Sequence, residues 1–186
     1  MFIQTESTPN PASLKFLPGR SVMTRGTADF PSPEAARSSP LAQRLFDVEG
    51  VRGVFLGSDF VTITKTDDMD WSALKPAVLG ALAEHLMSGE AVVHERGEGA
   101  QDEAGEAGED EEIVRRIREL LDTRVRPAVA RDGGDIIFRT FRDGVVYLRL
   151  QGSCSGCPSS TATLKNGIEN LLRHYIPEVL AVRAVD

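Results

Sequence analysis

Cys154 and Cys157 are the only two cysteines in a chain of 186 residues. They sit two residues apart in Gln151-Gly152-Ser153-Cys154-Ser155-Gly156-Cys157-Pro158-Ser159-Ser160. A close pair of soft, polarisable sulfurs is a place to hold a metal or to run thiol chemistry. Gly152 and Gly156 admit a tight backbone and let amides approach the sulfurs. Pro158 suits the first position of a following helix, where its missing N–H costs nothing. The dipole of that helix is expected to lower the thiol pKa and favour the thiolates that a metal needs. Four sulfurs in a tetrahedral set suit zinc or an iron–sulfur cluster. Two thiolates fill half of such a set, and the chain holds no others.

Several readings of the pair compete. Two ordinary buried cysteines fit poorly with a Gly/Ser turn. A dithiol oxidoreductase also places C-x-x-C at a helix N-terminus. Its thioredoxin-type fold needs a βαβ start, however, and the residues between the cysteines, Ser155-Gly156, lack the expected proline. A zinc site, or a half-site completed by the same turn of a second chain about a two-fold axis, is the remaining possibility. His85, His94 and His174 are the other candidate ligands within one chain. His174 lies roughly 25 Å from Cys157 along a helix rising 1.5 Å per residue, too far to help.

The elements that must position this turn are legible from hydrophobic periodicity. Ile113, Ile117, Leu120, Leu121, Val125 and Val129 predict a helix from Glu111, which Pro127 should bend or tighten near its end. Asp132-Gly133-Gly134-Asp135 ends it. Ile136–Phe141 and Val145–Leu150 flank Asp143-Gly144, a hairpin signal. After the cysteines come a helix to Tyr175, stopped by Pro177, and a closing strand over Val179–Val185. The order is α-β-β-α-β. Asp132, Asp135 and Lys165 have structural explanations in capping and solubility and receive no chemistry. The hydroxyls of Ser153 and Ser155 could hydrogen-bond the sulfurs or could simply form the turn.

Upstream, residues 2–30 predict short antiparallel strands, with Val22-Met23 as one of them. Residues 32–48 predict helix split by Pro40. Val51–Leu56 and Phe60–Lys65 predict a hairpin, and Asp70 is placed to cap a helix with Leu74, Val78, Leu82 and Leu86 along one stripe. Ala91-Val92-Val93 reads as a last strand. No group in this region converges as a catalytic set would. The fold class is therefore α+β: two small α+β domains, 1–94 and 111–186. A Gly-, Ala- and Glu-rich stretch at 95–110, without apolar periodicity, predicts a flexible acidic linker between them.

Charge divides unevenly along the chain, whose net value is −7. Residues 95–112 hold nine acids and one base, while residues 113–186 hold twelve bases and eight acids. Neither pattern is the marked basic patch of a nucleic-acid binder, and no run is long and apolar enough to cross a bilayer. The first residues, Met1-Phe2-Ile3-Gln4-Thr5-Glu6, resemble neither an export signal nor an Arg-rich leader, which predicts a cytoplasmic protein. In that reducing compartment a close cysteine pair is more often metal-binding or catalytic than a structural disulfide.

Together, Arg126-Pro127-Ala128-Val129, Asp132-Gly133-Gly134-Asp135, Leu150–Thr161 and Leu164-Lys165-Asn166-Gly167-Ile168-Glu169 resemble the C-terminal domain of NifU and the Nfu iron–sulfur carriers. The stretch Gln4-Thr5-Glu6-Ser7-Thr8-Pro9-Asn10-Pro11-Ala12-Ser13-Leu14-Lys15-Phe16-Leu17-Pro18-Gly19 resembles the Nfu N-terminal domain. The resemblance implies a carrier rather than an enzyme, with one 4Fe–4S cluster bridging a homodimer. Cys154 and Cys157 would be its ligands. It also implies apo iron–sulfur proteins as clients and an upstream scaffold as donor, while charge and hydropathy leave neither nucleic acid nor membrane as an expected partner. Mitochondrial members begin with a leader, so a bacterial cytoplasmic member is the expectation.

Overall fold

A computed structural model describes residues 2–94, 111–155 and 158–185, with the side chains of 158–160 outside that description. The chain separates into two compact units, Met1–Ala100 and Gln101–Asp186. The linker expected at 95–110 lies outside the described residues. Both units mix helix and sheet, as the α+β reading requires.

The N-terminal unit is a five-stranded antiparallel sheet in the order β1-β2-β5-β4-β3: β1 (Gln4–Ser7), β2 (Ser13–Leu17), β5 (Val61–Lys65), β4 (Val51–Leu56) and β3 (Ala28–Phe30). Alternate residues of its strands, among them Phe16, Leu56, Val61 and Ile63, bury one face against two helices. Helix α1 (Pro40–Phe46) starts where Pro40 splits the expected run. Ser39 caps it, its Oγ accepting from the Ala42 N–H at 3.0 Å. Helix α2 (Trp71–Ser88) buries Leu74, Val78, Leu82 and Leu86, the stripe read from the sequence. Asp70 occupies the cap position without a side-chain bond to the helix.

Two expected strands are absent among the described residues. Val22 and Met23 both donate N–H to the Ser58 carbonyl, at 2.8 and 3.2 Å, and form no ladder. The third strand is Ala28–Phe30, which pairs with β4 and buries Phe30. Ala91-Val92-Val93 is held over α1 by single bonds, Ser39 Oγ to the Val92 carbonyl at 2.6 Å and His94 N–H to the Ser38 carbonyl at 2.8 Å.

The C-terminal unit follows the expected order. Helix α3 (Glu111–Leu120) runs through a π-helical turn, Leu121–Val125, into α4 (Arg126–Arg131). Pro127 lies in the first turn of α4 and cannot donate to the helix ladder, and the Arg126 N–H reaches back five residues to Leu121. Strands β6 (Gly134–Arg142) and β7 (Val145–Gly152) form the hairpin, with Asp143 and Gly144 at φ 52° and 77° as a two-residue turn demands. Helix α5 (Pro158–Tyr175) returns the chain to β8 (Ala181–Val185), which lies parallel to β7. Ile117, Leu121, Val125, Val129, Ile168 and Leu172 pack from the helices onto one face of this β6-β7-β8 sheet.

Candidate metal centre

Pairing between β6 and β7 runs on past the apolar core to Gly134 opposite Gly152, farther than the sequence pattern suggested. That extension lays the glycine pair Gly133-Gly134 beside the cysteine turn. The Ser153 N–H donates to the Gly133 carbonyl at 3.2 Å, and the Ser153 hydroxyl donates to the Asp132 carbonyl. The Ser155 N–H and hydroxyl both reach the Gly152 carbonyl, at 3.2 and 2.9 Å. Thr161 Oγ1 donates to the Cys154 carbonyl at 3.0 Å and ties the turn to the start of α5. Both serine hydroxyls form the turn through main-chain oxygens, and that of Ser153 also hydrogen-bonds the Cys154 sulfur and acts to lower its pKa against burial.

The glycine pair is itself anchored. Asp135 is 3% exposed and accepts two bonds from Arg126, Nε to Oδ1 at 2.9 Å and a terminal nitrogen to Oδ2 at 2.8 Å. Its Oδ1 also accepts the Ile136 N–H at 2.8 Å. Arg126 reaches Asp122 as well, at 3.2 Å, and these hydrogen bonds raise its pKa against the opposing effect of burial. Asp135 is thus more than a capping or solubility residue, as the sequence had it. The readable signal is an Arg and an Asp nine residues apart, one on each side of a glycine pair.

Cys154 is 7% exposed and packs in the hydrophobic cluster of the unit. A Cβ built on Gly134 would stand 2.7 Å from the Cys154 sulfur and 2.7 Å from the Gln151 carbonyl, so the sulfur lies in a groove that only glycine leaves open. Burial pushes the Cys154 thiol up to about 11, and the charges of Asp132 and Asp135 push the same way against the nearby Ser153 hydroxyl. This overturns the lowered pKa expected from the helix N-terminus. The desolvation of an inward-facing sulfur outweighs a dipole that is screened and falls off within one turn. Cys157, the other candidate ligand, lies outside the described residues.

The chemistry of Cys154 can be checked directly. In protein freed of metal and held reduced, its alkylation by iodoacetamide should be slow at pH 8. The rate should rise with the thiolate fraction through about pH 11. A half-maximal rate near pH 8 or below would contradict a buried, protonated sulfur.

Among the described residues no set of three or more His, Cys, Asp or Glu side chains is arranged to hold a metal. His174 is near the far end of α5, edge-on to Tyr175 at 4.9 Å between ring centres. His85 is fully buried in the N-terminal unit, 3.6 Å from Glu90, with its pKa lowered by burial first and Arg44 second. The helix after the turn bears on the redox alternative. Because β8 is parallel to β7, β7-α5-β8 is itself a βαβ crossover, so the fold test raised against a dithiol oxidoreductase does not separate the readings. Burial raises the Cys154 thiol pKa, unlike the low attacking thiols of that class, while Cys157 lies outside the described residues.

Comparison with known proteins covers both units. A family model described as "Scaffold protein Nfu/NifU N terminal" matches residues 3–89, and one described as "NifU-like domain" matches residues 117–183. The human protein named NFU1 iron-sulfur cluster scaffold homolog, mitochondrial, is 54% identical over the whole chain, which spans 72% of that relative. Its namesake from Drosophila persimilis is 55% identical, again over the whole chain, which spans 65% of the fly protein. A solution NMR structure of a NifU-like protein from Saccharomyces cerevisiae superposes with a TM-score of 0.46 at 29% identity, covering 51% of this chain and 86% of that one. Both relatives are named as mitochondrial, which overturns the expectation of a bacterial, cytoplasmic protein. That expectation rests on the first few residues, and Gln4–Ser7 form strand β1. Their sequence answers to a sheet and does not report a compartment.

Proposed function

Because the chain belongs to the Nfu/NifU family, we propose that it is an iron–sulfur cluster scaffold that holds a 4Fe–4S cluster between two copies and hands it to apo-proteins. Cys154 and Cys157 of each copy supply the four thiolates, one cluster to a homodimer. The observation that carries this reading is a sulfur count joined to a place in the fold. One thiol of the only pair in the chain sits in a strand-to-helix turn that is fixed by hydrogen bonds to main-chain oxygens on both sides. A soft donor set of that kind suits iron and sulfide, and one chain supplies only half of it.

Release needs no catalytic base. An incoming client thiol gives up its proton and forms an iron–sulfur bond as one scaffold thiolate leaves and takes up that proton, so charge balances and no electron moves. The freed Cys154 sulfur returns to the apolar cluster it packs in. Apo iron–sulfur proteins are the recipients in this scheme and an upstream scaffold is the donor.

Anaerobic reconstitution with iron and sulfide, followed by metal analysis and mass measurement, tests the proposal. Four irons and four sulfides per dimer are expected, with Cys154→Ala and Cys157→Ala each abolishing loading. The βαβ crossover is equally compatible with a second reading, a dithiol redox protein. A monomer with a readily cycling Cys154–Cys157 disulfide, or a colourless zinc-loaded dimer, would displace the scaffold reading.

A further inference from the structure

Helices α3, α4 and α5 all pack on one face of the β6-β7-β8 sheet. The strand register fixes what stands on the other. Ile137 pairs with Arg149 and Arg149 with Val185, Tyr147 pairs with Arg183, and Arg142 lies in the same set at the hairpin end. Arg142 and Arg183 are exposed, Val185 is 36% exposed, and Ile137, Tyr147 and Arg149 are partly so. None of the six belongs to the apolar cluster that closes the helical side. Among the described residues Arg142, Arg149 and Arg183 have no carboxylate partner, while the ion pairs of this unit lie at Asp122–Arg126–Asp135 and Glu169–Arg173.

We propose that this face is a docking surface for an acidic protein. Three unpaired guanidiniums on one open sheet raise the local positive potential, and aliphatic and tyrosine side chains between them supply area to bury. The same pattern argues against other occupants. A second copy meeting this face about a two-fold axis would set each arginine against arginines of the same surface. Pairing through the free edge of β8 would have to displace Glu169, which already accepts the Val182 N–H at 3.1 Å. A nucleic acid would find a single aromatic ring to stack on and aliphatic residues where further contacts belong. The surface is small, which fits a transient encounter. It also lies close to the cysteines: Arg149 is five residues before Cys154 on the same strand and turn, at most about 17 Å away. That the acidic partner is a client rests on the scaffold reading; the surface itself does not.

The experiment uses the full chain, freed of metal, and a fluorescently labelled apo-ferredoxin as a small acidic iron–sulfur protein. Anisotropy should report binding that weakens as salt rises from 50 to 300 mM. Arg149→Glu/Arg183→Glu should weaken it about tenfold or more, and the exposed edge variant Arg183→Glu should do so in part. Arg115→Glu, an equal charge change on the exposed side of α3, should leave it unchanged. Cys154→Ser should bind normally while failing to load iron, which separates a failure of the docking surface from a failure of the scaffold reading. Unaltered binding in both arginine variants, an equal loss with Arg115→Glu, or tighter binding of a single-stranded RNA 20-mer than of the ferredoxin would overturn the proposal.

Discussion

Gly134→Ala should yield a folded protein that cannot be loaded with iron and sulfide. The added methyl would stand 2.7 Å from the Cys154 sulfur, 2.7 Å from the Gln151 carbonyl and 3.2 Å from the Cys154 nitrogen. Two of these three atoms are main chain of β7 and the turn, so no side-chain rotation relieves the clash. The backbone on one side must move away. That movement stretches the bond from the Ser153 N–H to Gly133 and displaces the sulfur from its groove. Overpacking of this kind costs about 1–3 kcal/mol, which a domain of ordinary stability survives. The matched control is Gly167→Ala on α5, where an added Cβ meets nothing within 4 Å. It should stabilise the helix by up to about 1 kcal/mol and load normally. Urea unfolding and the iron-to-protein ratio after reconstitution check both variants. Full loading of Gly134→Ala would show that the groove beside Cys154 has no part in ligation.

The contrast between these glycines shows where a sequence is legible. Gly167 stands between Asn166 and Ile168 and Gly134 between Gly133 and Asp135, and neither setting announces a close neighbour. Only the cross-strand pairing of Gly134 with Gly152 reveals that one of them faces a sulfur. Patterns that repeat within one element were readable: the Leu74–Leu86 stripe, the Asp143-Gly144 turn, and the start of α5 at Pro158. What failed depended on partners distant in sequence. Val22-Met23 has the composition of a strand, yet β4 takes Ala28–Phe30 as its neighbour instead. The adjacent helix alone predicts a lowered thiol pKa, whereas burial in an apolar cluster brought in from other elements raises that of Cys154. The direction of β8 could not be read either, because Ala181–Val185 alternates equally well in a parallel or an antiparallel ladder.

Arg126→Ala tests the deeper layer of the same site and should lower stability more than any surface charge change in the chain. Removing the guanidinium strips two hydrogen bonds from a carboxylate whose side chain is 5% exposed, and leaves that charge buried without its cation while the Ile136 N–H still donates to it. Breaking a buried pair in this way costs roughly 3–5 kcal/mol. Arg126 is itself 38% exposed, and water can partly replace it, so about 2–3 kcal/mol is the expectation. Asp135→Asn should cost less, because the surviving guanidinium remains solvated and keeps Asp122 at 3.2 Å. In the double variant Arg126→Ala/Asp135→Asn no charge is stranded. Its loss should therefore fall short of the sum of the single losses by about 1 kcal/mol or more, read from urea midpoints in a double-mutant cycle. Iron loading should follow the folded fraction of each variant, since the pair anchors the strand that carries Gly134 without touching the sulfur. Additive losses would reduce the Arg126–Asp135 contact to a solvated pair. Failed loading in a fully folded Arg126→Ala protein would move Arg126 from support of the turn to a direct part in it.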